Sequence, residues 1–386
     1  MNSLQSLTAV SGVGMTAFSH AAEGTVLDLA LEAAAKAIDD AGLDKSEVDG
    51  LIGFSYHGDS VLTRAVATGL GLGELTYAAD LEAGGQAPSF AVAQAAMAVR
   101  AGMAKHVIVY RALKGRSESR VGRRAIPSPS GQYHYPLGIT AYPQFIATWA
   151  RRFMVETGTT EEQLGAVVLA QREYAAANEH AIRRTPLTMD EYLAQEMVVD
   201  PFRRADCTIE VDGAAAVLVT SLERARELAP PPAVIRGSAW STGAPAGIGG
   251  DDVFQWPDMS RNFTGALAER LWASAGLGAE EMDFAQIYDC FSSTVLFGLE
   301  GLGLVGRGEA GAFVADGNTA KDGALPVNTG GGLLCEGYLH GMNTLVEAVV
   351  QVQGRAGDRQ LGRAEVGVIT SGAQADGSAL VVTVDR

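Results

Sequence analysis

Four side chains able to do chemistry crowd into six positions of one segment, GGGLLCEGYLHGMN, residues 330–343. Cys335 could serve as a thiolate nucleophile, Glu336 as a general acid or base and Tyr338 as a phenolic acid or base. His340 could carry a proton or orient a neighbour. Glycines surround all four, and backbone N–H groups at glycine-rich turns and helix N-termini favour a developing anion. A second loaded stretch is IYDCFSS, with Tyr288, Asp289 and Cys290 in a row. Asp289 follows Tyr288 in an apolar strand pattern, so its side chain is expected on the opposite sheet face, in a structural role. Cys290 is expected to pack against the site or line it, and Cys207 to be structural.

The three cysteines at 207, 290 and 335 lack metal-ligand spacing and are too few for a disulfide framework. A reduced cytoplasmic protein with no metal of its own is the expectation. The formal charge of −16 argues against a general nucleic-acid or anionic-membrane binder. No apolar run is long enough for a transmembrane helix, and MNSLQSLTAVSGVGM lacks the features of a signal peptide. KGRSESRVGRR, Lys114–Arg124, is the local exception in charge, with five basic residues in eleven. It reads as a solvated loop or as an anion site.

The elements that must position these residues come in two copies. LALEAAAKAIDDAGLDKSEVDGLIGF begins at Leu29, and GALAERLWASAGLGAEEMDFAQIYDCF begins at Gly265. A shift of 234 lays Ala41-Gly42-Leu43 on Ala275-Gly276-Leu277 and Phe54 on Tyr288. Each copy reads as an amphipathic helix closed by glycine, an acidic turn and an apolar strand. EAGGQAPSFAVAQAAMAVRAG before HVIVYRAL, and NTGGGLLCEGYLHGMNTLVEAVVQVQG before EVGVIT, form a second related pair. Alternating strands and helices predict an α/β protein of two duplicated halves, residues 1–228 and 229–386. An insertion rich in Tyr, Pro and Arg, about residues 114–200, is expected to cap the site.

These blocks, which span nearly the whole chain, resemble the thiolase superfamily, particularly its sterol-carrier-protein-type members. IYDCFSSTVLFGLEGLGL is similar to that group's HDCFS segment, and LPVNTGGGLLCEGYLHGMN to its "NPSGGL…GHPLGATG" segment. The resemblance implies mixed sheets layered between helices in αβαβα order. It also implies a nucleophilic cysteine at the start of a buried helix, in the segment DLEAGGQAPSFAVAQAAM. No cysteine occurs between residues 1 and 206, and Gly85 stands nearest that place. Ser89 is a poor substitute, because no motif supplies the base that an alcohol needs. Tyr288 and Tyr338 occupy the two positions where the family keeps histidines.

Two tyrosines for two histidines narrow the resemblance to the thiolase-like lipid-transfer-protein aldolases of bacterial steroid side-chain degradation. The implied reaction is retro-aldol cleavage of a β-hydroxyacyl-CoA to a ketone and a shorter acyl-CoA. Coenzyme A would enter as part of the substrate. Tyr288 and Tyr338 would share the acid and base roles, which the residues alone do not assign. Gly84-Gly85, the Gly330–Gly332 run and Ser371-Gly372 are the expected N–H donors to the enolate, and His340 and Cys290 the supporting side chains. Arg116, Arg120, Arg123 and Arg124 would meet the coenzyme A phosphates. The resemblance also implies a homodimer and an OB-fold/zinc-ribbon partner, with zinc only in that partner. A thiolase-type acyltransferase using Cys335 and a non-catalytic acyl-CoA-binding subunit are the alternative readings.

Overall fold

The computed structural model describes residues 7–118, 131–243 and 256–385. The first half runs β1 (Thr8–Met15), α1 (Val26–Ala41), β2 (Gly50–Ser55), α2 (Thr63–Leu70), β3 (Tyr77–Glu82), α3 (Ala87–Arg100) and β4 (Val107–Lys114). Then come α4 (Gly131–His134), α5 (Tyr142–Thr157), α6 (Glu161–Ala176), α7 (Met189–Leu193) and a short hairpin, β5 (Met197–Val199) with β6 (Phe202–Arg203). The first half closes with β7 (Asp212–Ser221) and α8 (Leu222–Ala225). The second comprises β8 (Ala233–Ser241), α9 (Phe263–Ala275), β9 (Phe284–Gln286), α10 (Ser292–Gly301), α11 (Ala310–Ala315), α12 (Gly332–Cys335), α13 (Met342–Val352), β10 (Val366–Ser371) and β11 (Gly377–Val384).

The 234-residue shift holds at the level of local structure. Helix α1 is capped by Thr25 and Asp28 in a reciprocal box and ends at Gly42, with φ 71°. Helix α9 is capped by Asn262 and ends at Gly276, with φ 65°. Both glycines take the left-handed conformation that a helix C-terminus requires and that a side chain would strain. Lys45–Glu47 and Ala279–Glu281 then form matching 3-10 turns.

The strands follow the order β3-β2-β4-β7-β1-β8-β11-β10-β9, which reads nearly the same from either edge. Parallel pairs lie at the outer ends and antiparallel pairs toward the middle. Val327 pairs in parallel with Ala285, on the side of β9 that corresponds to β3 beside β2. The halves' sheets, expected as separate layers, share an edge where only Ala9–Val234 and Val10–Ala233 pair. Helices α3 and α13 each touch strands of both halves, whereas α1 covers β1, β4 and β7, and α9 covers β8 and β11. The layering is therefore helix, sheet, helix pair, sheet, helix.

The insertion packs on the second half. Phe145, Trp149 and Phe153 of α5 and Leu164 and Val168 of α6 share a core with Phe263, Leu267 and Phe297. The Phe153 and Phe297 ring centroids lie 4.6 Å apart. Burial of this many large apolar side chains ties the segment to the body through hydrophobic free energy of roughly 1.5–3 kcal/mol per residue.

Candidate active site

Tyr288 lies just beyond β9, and its position is fixed through the backbone. Its N–H donates to Thr370 Oγ1 at 2.9 Å, and its carbonyl accepts from Thr294 Oγ1 at 2.9 Å. Next to it, the Asn328 amide imitates a neighbouring strand, accepting from Ile287 N at 2.7 Å and donating to Ile287 O at 2.9 Å. Tyr338 is anchored from the other side, its N–H donating to Ile209 O at 2.8 Å. The two phenolic oxygens meet at 3.0 Å, within hydrogen-bond range. Both rings are buried, with 3% and 9% exposure.

Gly85 explains how Tyr288 fits. A Cβ built at Gly85 would lie 2.0 Å from Tyr288 Oη and 2.3 Å from Cζ. The phenol thus fills the space that any side chain at the foot of α3 would need. Gly341, at φ 84°, also leaves room for the ring, its Cβ position 3.0 Å from Tyr288 Cδ2.

Burial pushes both phenols above the usual tyrosine range, because the charged form loses hydration. Their environments are unequal. For Tyr338, burial and the neighbouring Cys290 act upward, against the Tyr288 hydroxyl and the Arg111 charge; for Tyr288, burial, Tyr338 and Cys290 all act upward.

Arg111 was not visible as a site residue in HVIVYRALK, where it sits inside an apolar strand pattern. It is 0% exposed. Its guanidinium donates to Asp59 Oδ2 at 2.6 Å, to Phe54 O at 3.1 Å and to His340 Nδ1. His340 is pushed down to about 3 by burial first and the Arg111 charge second, so its ring is neutral. Its centroid is 4.8 Å from that of Tyr338.

A cavity of about 400 Å³ opens onto Tyr338, Cys290 and Phe291. Tyr142 and Pro143, at the start of α5, form part of its wall, and so do Arg116, Arg183 and Arg204. Tyr142, Arg183 and Arg204 escaped the sequence reading. The dipeptides Arg183-Arg184 and Arg203-Arg204 were the available signal. Of the basic loop, Arg116 borders the cavity, whereas Arg120, Arg123 and Arg124 lie outside the described residues.

Residues 247–384 match the family described as thiolase C-terminal domain-like. A solved "Ltp2-ChsH2(DUF35) aldolase" superposes with a TM-score of 0.93 at 36% identity, covering 99% of each chain. The "17-hydroxy-3-oxo-4-pregnene-20-carboxyl-CoA lyase" of Mycobacterium tuberculosis is 36% identical over 98% of this chain and 100% of its own. The "Steroid side-chain-cleaving aldolase" of Thermomonospora curvata is 37% identical over the full length of both chains. The chain belongs to the thiolase superfamily, among its aldolases.

In this thiolase-superfamily aldolase the other reactive groups are buried. Cys335 is 0% exposed, and burial holds its thiol above the usual range, which opposes a nucleophilic thiolate. Cys290, also raised by burial, packs with Tyr288, Phe291 and Tyr338. Asp289 accepts from Leu333 N at 2.8 Å and Leu334 N at 3.2 Å, at the start of α12. Gly332 makes room for that contact, since its Cβ would meet Asp289 Oδ2 at 2.2 Å. Gly331 N donates to Asn328 O at 2.8 Å, and Gly84 N to Gln86 Oε1 at 3.1 Å. The N–H groups of Gly85 and Gly372 donate to no acceptor among the described residues. Glu336 is buried, its carboxyl accepting from Asn178 Nδ2 at 2.9 Å and Asn343 Nδ2 at 2.6 Å. Those bonds close the loop that carries Tyr338 and His340. Among the described residues no helix is long and apolar enough to cross a membrane, and no His/Cys/Asp/Glu group is arranged to hold a metal.

Proposed function

We propose that the enzyme cleaves the Cα–Cβ bond of a β-hydroxyacyl-CoA with a bulky, steroid-derived acyl group, using Tyr338 and Tyr288 as its proton-transfer pair. The observation that carries this reading is the 3.0 Å phenol pair seated over Gly85, in the place where a thiolase would need its nucleophile. A retro-aldol cleavage needs no covalent intermediate. The pair takes up the substrate's β-hydroxyl proton while the ketone forms and the Cα–Cβ electrons pass into the thioester enolate. A phenolic proton then goes to Cα, and the pair returns to its starting charge. Tyr338 receives the hydroxyl proton, because it borders the cavity and has the Tyr288 hydroxyl within hydrogen-bond reach. Tyr288 is the donor within the pair. The Gly85 and Gly372 N–H groups are available to the enolate oxygen.

Arg116, Arg183 and Arg204 give the cavity rim a positive character in a chain of net charge −16, which suits coenzyme A phosphates. Arg120, Arg123 and Arg124 belong to the same proposal. The relative solved as an "Ltp2-ChsH2(DUF35) aldolase" supports a heteromeric assembly. We assign this chain a homodimer and an OB-fold/zinc-ribbon partner, with any zinc held there.

The test is to supply a β-hydroxyacyl-CoA to the purified protein, with and without a co-expressed partner. Ketone and shortened acyl-CoA are expected in equal amounts. An acyl adduct on a cysteine, or acyl transfer to free coenzyme A without ketone, would replace this reading with the acyltransferase.

A further inference from the structure

We propose that His340 is a catalytic hydrogen-bond donor whose Nε2–H meets the thioester oxygen as the enolate forms, and that Arg111 and Asp59 position it. The proposal rests on the retro-aldol reading. It names the group that takes the charge which two phenols cannot hold while they move protons.

Arg111 faces the imidazole with two donors. Both its Nε, at 3.1 Å, and its Nη2, at 2.8 Å, face His340 Nδ1. A guanidinium offers only donors and stays protonated, so Nδ1 must present its lone pair. The neutral ring then carries its one proton on Nε2. The tautomer is thus set by the donor-only guanidinium.

Asp59 completes the device. A buried guanidinium needs a paired charge, and Asp59 Oδ2 accepts from Arg111 Nη2 at 2.6 Å. Its other oxygen accepts from Tyr56 N at 2.8 Å, which holds the carboxylate in place. The chain Asp59–Arg111–His340 fixes ring orientation and tautomer together.

Nε2 has no hydrogen-bond partner among the described residues, although the residue is only 1% exposed. His340 also takes a left-handed backbone, φ 52°, uncommon for a side chain of its size. Strain of this kind gathers at functional sites. The ring stands beside Tyr338, and its centroid is 6.2 Å from that of Tyr56. Tyr56 in turn abuts Gly84, whose Cβ position is 3.4 Å from Tyr56 Cδ2. Tyr56 thus links His340 to the Gly84-Gly85 turn, and Tyr338, beside the imidazole, borders the cavity.

A neutral imidazole N–H suits the step. It is too weak an acid to quench the enolate, yet donates strongly to an oxyanion. When the Cα–Cβ bond breaks, its electron pair becomes the enolate C=C and the charge settles on the thioester oxygen. His340 keeps its proton throughout, and the phenol pair delivers the proton to Cα.

Two substitutions separate this role from mere support of Arg111. His340→Asn keeps an acceptor near the Nδ1 position and tolerates positive φ, but removes the far donor. His340→Gln places an amide N–H near Nε2. Enolate formation is read by deuterium exchange at Cα of propionyl-CoA in D2O, beside ketone release from a β-hydroxyacyl-CoA. His340→Asn should slow both by about 10²–10³-fold with KM little changed, and His340→Gln should stay within roughly tenfold of wild type. Wild-type exchange in His340→Asn, or loss confined to His340→Gln, overturns the proposal. Should neither variant fold, ¹⁵N NMR of histidine-labelled wild type decides. A protonated Nε2 that shifts on saturation with propionyl-CoA supports the assignment; an unprotonated or unresponsive Nε2 overturns it. Absence of ketone release by the wild type would instead remove the retro-aldol reading itself.

Discussion

Gly85→Ala tests whether the space under Tyr288 belongs to the chemistry. Gly85 has no left-handed backbone, so alanine meets no conformational penalty there. The penalty is steric. The new Cβ would stand 2.0 Å from Tyr288 Oη, and contacts of Cβ atoms essentially never fall below 3.0 Å, so the oxygen must retreat by at least 1.0 Å. Thr370 and Asn328 hold the backbone, which leaves ring rotation as the escape. A retreat along the line to Tyr338 Oη, now 3.0 Å away, would compress that contact; any other direction stretches or misaligns it. Misplacement of about 1 Å costs roughly 10²-fold in rate. The overpacking itself costs about 1–3 kcal/mol, which a chain with about 5–15 kcal/mol of stability survives. The assay is steady-state ketone release beside thermal unfolding, for Gly85→Ala, Tyr288→Phe and the double variant. The double variant should recover part of the lost stability, with a coupling of about 0.5–3 kcal/mol, because the nearest colliding atom is gone. Wild-type turnover in Gly85→Ala, or strictly additive stabilities, would refute the reasoning.

Gly85→Cys should give no thiolysis, since Tyr288 fills the nucleophile's space; an acetyl adduct on the new cysteine, seen by mass spectrometry, would contradict this. Cys335→Ser should keep most of its ketone release, because the thiol is fully buried and packs in a different core cluster from the phenol pair; a loss beyond tenfold would restore Cys335 as a rival. Arg116→Ala and Arg204→Ala should each raise KM for the CoA thioester about fivefold, an effect that fades at high salt, and unchanged KM would remove them from the phosphate proposal. Glu336, pushed up to about 7 chiefly by burial, holds a proton in the native state that the unfolded chain releases near its ordinary 4.5. Its contribution is full below 4.5 and lost as pH rises through 7, at about 1.4 kcal/mol per pH unit. Glu336→Gln should therefore remove about 3 kcal/mol of pH-dependent stability across that window. Unfolding curves with the wild-type slope would show that Glu336 is ionised in the fold.

The matching helix stops and turns were legible because they are local: Gly42 and Gly276, and the acidic turns after them, are written in adjacent residues. The pairing of Tyr288 with Tyr338 could be reached only through the family pattern, since fifty residues separate them and no spacing rule joins them. Arg111 was hidden because alternation in a strand reports sheet faces, and a buried cation inside an apolar run looks like an edge of the pattern. Its partners Asp59 and His340 lie 52 and 229 residues away. Gly85 was legible as an absent cysteine, but the reason for glycine, the phenol that fills its place, exists only in three dimensions. The insertion was read as a cap from composition; that its helices complete the second half's core depends on long-range packing that composition does not encode.

The most direct test of the central claim is ketone release by Tyr288→Phe and Tyr338→Phe, each verified as folded by its thermal transition. Each change leaves the ring's packing and removes one oxygen of the 3.0 Å pair. Loss of a general acid–base group predicts a fall of about 10²–10⁴-fold in kcat for either variant, with the double variant little worse than the single ones. Turnover within tenfold of wild type in both would contradict the assignment of the chemistry to the tyrosine pair.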